Sequence, residues 1–351
     1  MRVEQFEFSL ADPPSPPAEM ALAVGTFDGV HLGHQRLIRR LVEGARQSAL
    51  PAAVLTFEPH PLEVLRPGNG PRRLTLPEEK AALLAGLGVD VLLVMRFDGA
   101  LAGMEPADFC RRVLEGMLRA RQVWVGFSFT FGRGGRGTPA DLCRWGQERG
   151  VRVEVLPPVR VGGRVVSSTA IREAVSRGAV GRARLMLGRP YGVAGRVVAG
   201  EGRGRTLGYP TANVAYHPGK VMPAPGVYAV CVRCGEGSRG GYLPGVANFG
   251  SRPTFGGGEP RLEVHLVGTC ADLYGSPIEL AFWRRLRGEK RFPDESALAR
   301  QLKADTRRAL AVLGRVAWGT AGLRPELADP GPEPGGERVY TVETVCYNRR
   351  D

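Results

Sequence analysis

Five consecutive apolar residues, Met20–Val24, run straight into a turn that carries glycines, an aspartate and two histidines, His31 and His34. Behind the turn, Leu37, Ile38, Leu41, Val42 and Ala45 recur at helical spacing. An apolar run of that length reads as a buried strand, and the periodicity after it as a helix packed on the sheet. This unit commits the first part of the chain to an α/β layer. The turn also has a chemistry. N–H groups left unpaired at a helix start, together with the positive end of its dipole, attract an anion. Two imidazoles three residues apart at such a mouth add donors suited to a triphosphate. On its own, His-x-Gly-His is an ordinary βα turn. The ten-residue string GTFDGVHLGH, residues 25–34, is far more specific.

The alternation continues to about Leu156. Apolar runs at Met20–Val24, Ala52–Phe57, Asp90–Met95, Gln122–Gly126 and Val151–Leu156 predict strands. Between them, Pro77–Leu87 and Pro106–Leu118 carry helical spacing behind a proline, which the first helical turn allows. Such a pattern implies a parallel sheet covered by helices. After Gly188 the texture changes to short β-rich runs cut by glycine and proline: Tyr191–Val198, Gly226–Arg233, Gly241–Asn248, Arg261–Val267 and Ile278–Trp283. Those predict a small closed antiparallel barrel. One helix follows, with Leu298, Leu302, Ala309 and Leu313 on one face. The expected domains are therefore residues 1–187 and 188–318, with 319–351 a Pro/Gly-rich linker and tail of unknown role.

Composition narrows the class. With 351 residues, 43% of them hydrophobic, the chain can bury two cores. No apolar run reaches the roughly eighteen residues a membrane span needs, and the start lacks the pattern of a secretory signal. Six cysteines are too sparse for a disulfide framework, so a cytoplasmic protein is expected. Cys231 and Cys234 form a lone CxxC inside a strand-like run, with no second pair to complete a zinc site. The formal charge is +13, yet only four of the 48 basic residues are lysines, and the arginines are spread along the chain. That distribution fits anionic nucleotide substrates and gives no nucleic-acid module.

The string GTFDGVHLGH resembles the signature of HxGH nucleotidyltransferases, in the form found in prokaryotic bifunctional riboflavin kinase/FAD synthetases. LTFEPHP (residues 55–61), GFSFTFG (126–132) and SSTAIR (167–172) follow in the same order as in that family. The resemblance implies a Rossmann-like FMN adenylyltransferase domain. There, Gly25, Phe27, Asp28, His31, Gly33, His34, Ser168, Thr169 and Arg172 would bind ATP, with His31, His34 and Arg172 catalytic. Pro59, His60, Ser128, Phe129 and Phe131 would border the flavin. By alternation, Phe127, Phe129 and Phe131 fall on one face of an extended segment, able to wall a planar ring. Ser128 stands where the family usually carries aspartate or asparagine, and it reaches less far and carries no charge.

In the second half, GEGRGRTLGYPTANV (residues 200–214) resembles the flavokinase module and is not a P-loop. The resemblance implies ATP contacts from Gly202, Arg203, Gly204, Thr206, Gly208, Tyr209, Pro210, Thr211 and Asn213. Thr211 and Asn213 would hold Mg²⁺, for which a hydroxyl and an amide carbonyl are suitable hard donors. In RLEVHLVG, alternation sets Leu262, Val264 and Leu266 on one face and Glu263 and His265 on the other, the inside or ligand-facing side of a barrel. Glu263 would be the general base, and Arg252, Glu263 and Tyr274 would contact riboflavin. The implied activity is phosphorylation of riboflavin to FMN, then adenylylation of FMN to FAD with pyrophosphate release. Its partners would be flavins and ATP, not nucleic acid or membrane. Two other readings stay open: a kinase with weak or lost FAD synthesis, and a non-catalytic flavin-binding protein.

Overall fold

The structure, a computed structural model, describes residues 4–14, 19–200, 208–235, 242–250, 260–268 and 273–314, with residues 4–7 as backbone alone. Its described residues form two compact units, divided after Ser168.

In the first unit a parallel sheet runs through β1 (Glu4–Phe8), β2 (Met20–Val24), β3 (Ala52–Glu58), β4 (Val91–Arg96), β5 (Ala120–Gly126) and β6 (Arg152–Leu156). Their spatial order is β1-β4-β3-β2-β5-β6, with every pair parallel. Strand β2 is buried on both faces, which explains its unbroken apolar sequence. Met20, Leu22 and Val24 enter one core, while Ala21 and Ala23 enter the other. The second core is closed by α1 (Leu32–Gln47) through Leu37, Ile38, Leu41, Val42 and Ala45, and by Ala81 and Leu84, which fall in α3 (Pro77–Ala85). Between these helices lies the short α2 (Pro61–Leu65).

The first core is closed by α4 (Gly99–Ala102) and by α5 (Pro106–Asp108) with its continuation. That continuation, Phe109–Met117, is π-helical where the sequence predicts an α-helix. Phe109 and Leu114, and Val113 and Leu118, lie five apart and are all buried; the Leu118 N–H donates to the Val113 carbonyl at 2.9 Å. A wider turn keeps those pairs on one face. Strand β1 was not expected. After α6 (Pro139–Arg149) and β6 come a two-residue hairpin, β7 (Arg160–Val161) and β8 (Arg164–Val165), and then α7 (Ser168–Ser176) and α8 (Val180–Leu187).

The second unit is a closed antiparallel barrel of β9 (Tyr191–Val198), β10 (Ala212–Tyr216), β11 (Gly226–Cys234), β12 (Leu243–Gly250), β13 (Arg261–Leu266) and β14 (Pro277–Arg287), followed by α9 (Glu295–Leu313). The order around it is β10-β13-β12-β11-β14-β9. Strand β10 was not expected, and the expected boundary at 187/188 differs from the division after Ser168. Helix α8 packs on β9 and β14, with the Arg184 guanidinium 4.7 Å above the Trp283 ring. Gly178, at φ +75°, is needed between α7 and α8, since a Cβ there would meet the Tyr228 hydroxyl at 2.9 Å. Outside the barrel, Ala309 and Leu313 of α9 cover Val227, Ala229, Cys231, Val246 and Ala281. Cys231 lies under that helix, and a residue three further along a strand, Cys234, falls on the opposite face.

One ion pair ties α9 to the barrel. Asp305 is fully buried and accepts from Arg287 Nε at 2.9 Å and Nη2 at 2.8 Å, while Gln301 donates to its other oxygen at 2.9 Å. Removing one partner of a buried pair strands the other charge, a cost of about 3–5 kcal/mol. Asp305→Ala should therefore destabilise the barrel by about that amount in urea unfolding followed by the amide signals of β14 and α9. An unchanged midpoint would deny the pair this role.

Candidate active sites

Strands β3 and β4 lie on one side of β2, while β5 and β6 lie on the other. The carboxyl ends of β2 and β5 therefore flank the point where strand order reverses, the place where open parallel sheets bind ligands. The turn 25–34 leaves β2 there, and Gly126–Phe131 follows β5. The turn is strained: Phe27 (φ 49°) and Val30 (φ 39°) occupy the left-handed region, at about 1–3 kcal/mol each. Both side chains are buried, which holds them there.

His31 caps α1, its Nδ1 accepting from the His34 N–H at 3.3 Å. The two imidazoles stack with centroids 3.6 Å apart, and Phe27 meets His34 edge-on at 5.2 Å. Gly33 leaves room for this fold-back, since a Cβ there would lie 3.1 Å from the His31 ring. Gly25 donates its N–H to the Leu55 carbonyl at 3.1 Å. The Ser168 hydroxyl donates to the Asp28 carbonyl at 2.8 Å, which joins the start of α7 to the turn. Thr169 is exposed, and Arg172 follows Ser168 by one turn of the same helix.

Asp28 also holds the turn from within. Its buried carboxylate accepts from the N–H groups of Leu74 (3.0 and 3.1 Å) and Thr75 (2.9 Å) and from the Thr75 hydroxyl (3.2 Å). The Thr75 oxygen in turn accepts from the Gly29 N–H at 3.0 Å. The group is a clamp on the strained turn.

The residues expected to border the flavin differ in exposure and packing. Pro59 is exposed, and His60 caps α2 through Nδ1, which accepts from the Leu62 N–H at 3.2 Å. The three phenylalanines do not share a face. A turn at Gly126–Phe129, closed by Phe129 N–H donating to the Gly126 carbonyl at 3.0 Å, resets the alternation. Phe129 and Phe131 stack at 5.5 Å and Phe131 reaches Phe109 at 5.5 Å, while Phe127 and Ser128 are exposed.

Sequence reasoning missed a polar network at the end of β3. Lys80 is buried and donates to Thr56 Oγ1 at 3.2 Å and Glu58 at 3.3 Å. Glu58 also pairs with Arg73 at 2.5 Å, and Arg73 with Glu63 at 3.2 Å. Burial holds the Lys80 ammonium below the usual lysine range, against the opposing pull of Glu58. The partners lie 22 and 24 residues away, so no local pattern announces them.

On the barrel, Leu262, Val264 and Leu266 are the buried face of β13. Glu263 and His265 are thus outside, and of the two placements expected the interior is excluded. Register sets Asn213 of β10 and Asn248 of β12 directly beside Glu263, one on each side. Neighbours in register share a face, so three polar side chains form one row. The Asn213 amide packs against Gly200, where a Cβ would lie 1.8 Å from its nitrogen and would force the amide to move. His265 Nδ1 lies 2.8 Å from the Pro210 carbonyl and its ring meets Tyr209 at 5.3 Å, which latches Tyr209–Thr211 onto β13. Thr211, Gly208 and Tyr274 are exposed. Gly202, Arg203, Gly204, Thr206 and Arg252 lie outside the described residues.

Residues 14–170 match the FAD synthetase family and residues 187–313 the riboflavin kinase family. The chain is 40% identical over 291 residues to a bifunctional riboflavin kinase/FMN adenylyltransferase of Escherichia coli K12, covering 83% of this chain and 92% of that one. It is 36% identical over 301 residues to a Bacillus subtilis protein of the same description, covering 84% and 92%. A Streptococcus pneumoniae crystal structure described as a macrolide-efflux protein superposes with a TM-score of 0.79 at 32% identity, covering 88% of this chain and 99% of that one. Among the described residues no helix is long and apolar enough to cross a membrane.

The clamp on the turn can be tested directly. Asp28→Ala leaves the buried Leu74 and Thr75 N–H groups without their acceptor, at about 1–3 kcal/mol for each unsatisfied group. Amide exchange at Leu74, Thr75 and Gly29 should accelerate together. Unchanged protection there would show that the turn holds without Asp28.

Proposed function

The chain belongs to the bifunctional riboflavin kinase/FMN adenylyltransferase family, and from that membership we propose how its residues divide the two reactions. The enzyme phosphorylates riboflavin to FMN with ATP, then adenylylates FMN to FAD with a second ATP, releasing pyrophosphate. One observation carries this reading: segments matching both families follow one another in a single chain.

In the barrel, Glu263 accepts the proton of the ribityl 5′-hydroxyl as that oxygen attacks the γ-phosphorus of ATP and ADP departs. The outer-face row Asn213–Glu263–Asn248 supports this, because it sets Glu263 away from the packed interior of the barrel. The Thr211 hydroxyl and Asn213 amide oxygen fit Mg²⁺: they are hard, neutral donors that leave positions for phosphate oxygens and water. When bound, Mg²⁺ neutralises phosphate charge. Gly202, Arg203, Gly204, Thr206, Gly208, Tyr209 and Pro210 cradle the nucleotide, with Arg252 and Tyr274 at the flavin.

In the first unit an FMN phosphate oxygen attacks the α-phosphorus of ATP, and the bond to pyrophosphate breaks. The nucleophile is already anionic, so no base is required, and positioning and charge neutralisation carry the step. Because His31 Nδ1 accepts from the His34 N–H, the neutral ring carries its proton on Nε2, a donor for phosphate oxygens. His34, Arg172 and the α1 N-terminus add to it, with Ser168 and Thr169 at the start of α7. A consumer of ATP and riboflavin with buried thiols, those of Cys110 and Cys231 pushed up to about 12 by burial, suits the cytoplasm.

Two variants separate the steps. Glu263→Gln should lower riboflavin phosphorylation by roughly two or more powers of ten, the range for a lost base, and leave FAD formation from FMN intact. The double change His31→Ala with His34→Ala should abolish FAD formation from FMN and spare the kinase. Chromatography of products from riboflavin or FMN with MgATP reads both. Normal kinase turnover in Glu263→Gln refutes the base, and normal FAD synthesis in the double variant refutes the histidines.

A further inference from the structure

Lys80 is a buried cation that the two reactions leave unused. Its ammonium sits where three segments meet. It donates to Thr56 Oγ1 at 3.2 Å, and the Thr56 hydroxyl itself donates to the Thr26 carbonyl, also at 3.2 Å, inside the turn 25–34. It pairs at 3.3 Å with Glu58, which immediately precedes Pro59 and His60. The Asp28 carboxylate, clamp of the same turn, also acts on its charge. Thr56 and Lys80 are both buried, so water does not compete for these bonds.

A buried ammonium is costly unless it is paired, and an apolar side chain at this place on α3 would pack at no such cost. The cation therefore invites an explanation beyond packing. What it links supplies one: the turn that presents His31 and His34, and the carboxyl end of β3 that leads to the loop expected to border the flavin. We propose that Lys80 is a positioning residue for adenylyl transfer, setting the turn 25–34 and the end of β3 in one fixed relation through Thr56 and Glu58. This rests on the adenylyltransferase reading of the first unit. Lys80 touches neither substrate in this account; it acts through the groups it holds.

Donors that must meet charge as it develops on the departing pyrophosphate lose effect when displaced, and a misplacement of about 1 Å can cost about a hundredfold in rate. The test uses the full chain with Lys80→Met, Lys80→Arg and Thr56→Val, measuring FAD formation from FMN, riboflavin phosphorylation and thermal melting on each protein. In Lys80→Met, kcat for FAD formation should fall by roughly 30- to 100-fold, while KM for ATP moves less than about threefold and the kinase is unchanged. Lys80→Arg should recover part of the loss, since it restores a donor and a charge. Thr56→Val keeps the Lys80–Glu58 pair but removes the link to Thr26, and should lower kcat in the same sense by about tenfold. A merely structural lysine would lower the melting temperature and leave kcat intact below it, and that result overturns the proposal. Should Lys80→Met fail to fold, Thr56→Val decides, and unchanged kcat there overturns it equally. A wild-type chain that makes FMN but no FAD would instead overturn the adenylyltransferase reading on which the proposal stands.

Discussion

Strand β2 is buried on both faces, and that constraint arranges the first unit. Every side chain from Met20 to Val24 must be apolar to fill the two cores, so the strand itself has no place for chemistry. Polar groups are displaced to its carboxyl end, where the chain turns into α1 and strand order reverses. The turn reaches α1 through two residues in the left-handed region, Phe27 and Val30, and such strain persists only where the surroundings over-determine it. Burial of both side chains and the Asp28 clamp supply that. His31 and His34 then stack at the helix start as a consequence of the path the turn is forced to take.

The barrel solves the same problem differently. Where no helix covers it, a described strand of the barrel is buried on the inside, so the outer face of β13 carries polar residues, Glu263 and His265. Glu263 lies on that face in mid-strand, with Asn213 and Asn248 in register on either side. Where α9 covers the outside, the residues on β11 and β12 become apolar again, as at Ala229, Cys231 and Val246. The two reactions thus need different supports. A rigid strand face suits a base that must meet a neutral alcohol, and a helix start suits an anion already charged.

Much of this was legible in the sequence wherever a segment's own composition decides its structure. Met20–Val24 and the α1 periodicity are of that kind, as are β9, β11 and the helix 295–313. Strand β10 was not, because of Ala212–Tyr216 only Val214 is buried; the strand exists through pairing with β9 and β13. The phenylalanine alternation misled because a turn at Gly126–Phe129 resets the period, and the sequence alone does not mark it. The role of Asp28 depends on donors 46 and 47 residues away, and the latch from His265 to Pro210 spans 55. Such partners follow from the fold and leave no local trace.

One chain carries two sites that act on different phosphorus atoms of separate ATP molecules. Position-specific labelling tests this most directly. Riboflavin supplied with γ-labelled ATP should yield labelled FMN and then labelled FAD, whereas α-labelled ATP should leave FMN unlabelled and label FAD alone. Label from the α-position in FMN, or FAD that carries the γ-label but none from the α-position, would contradict the account.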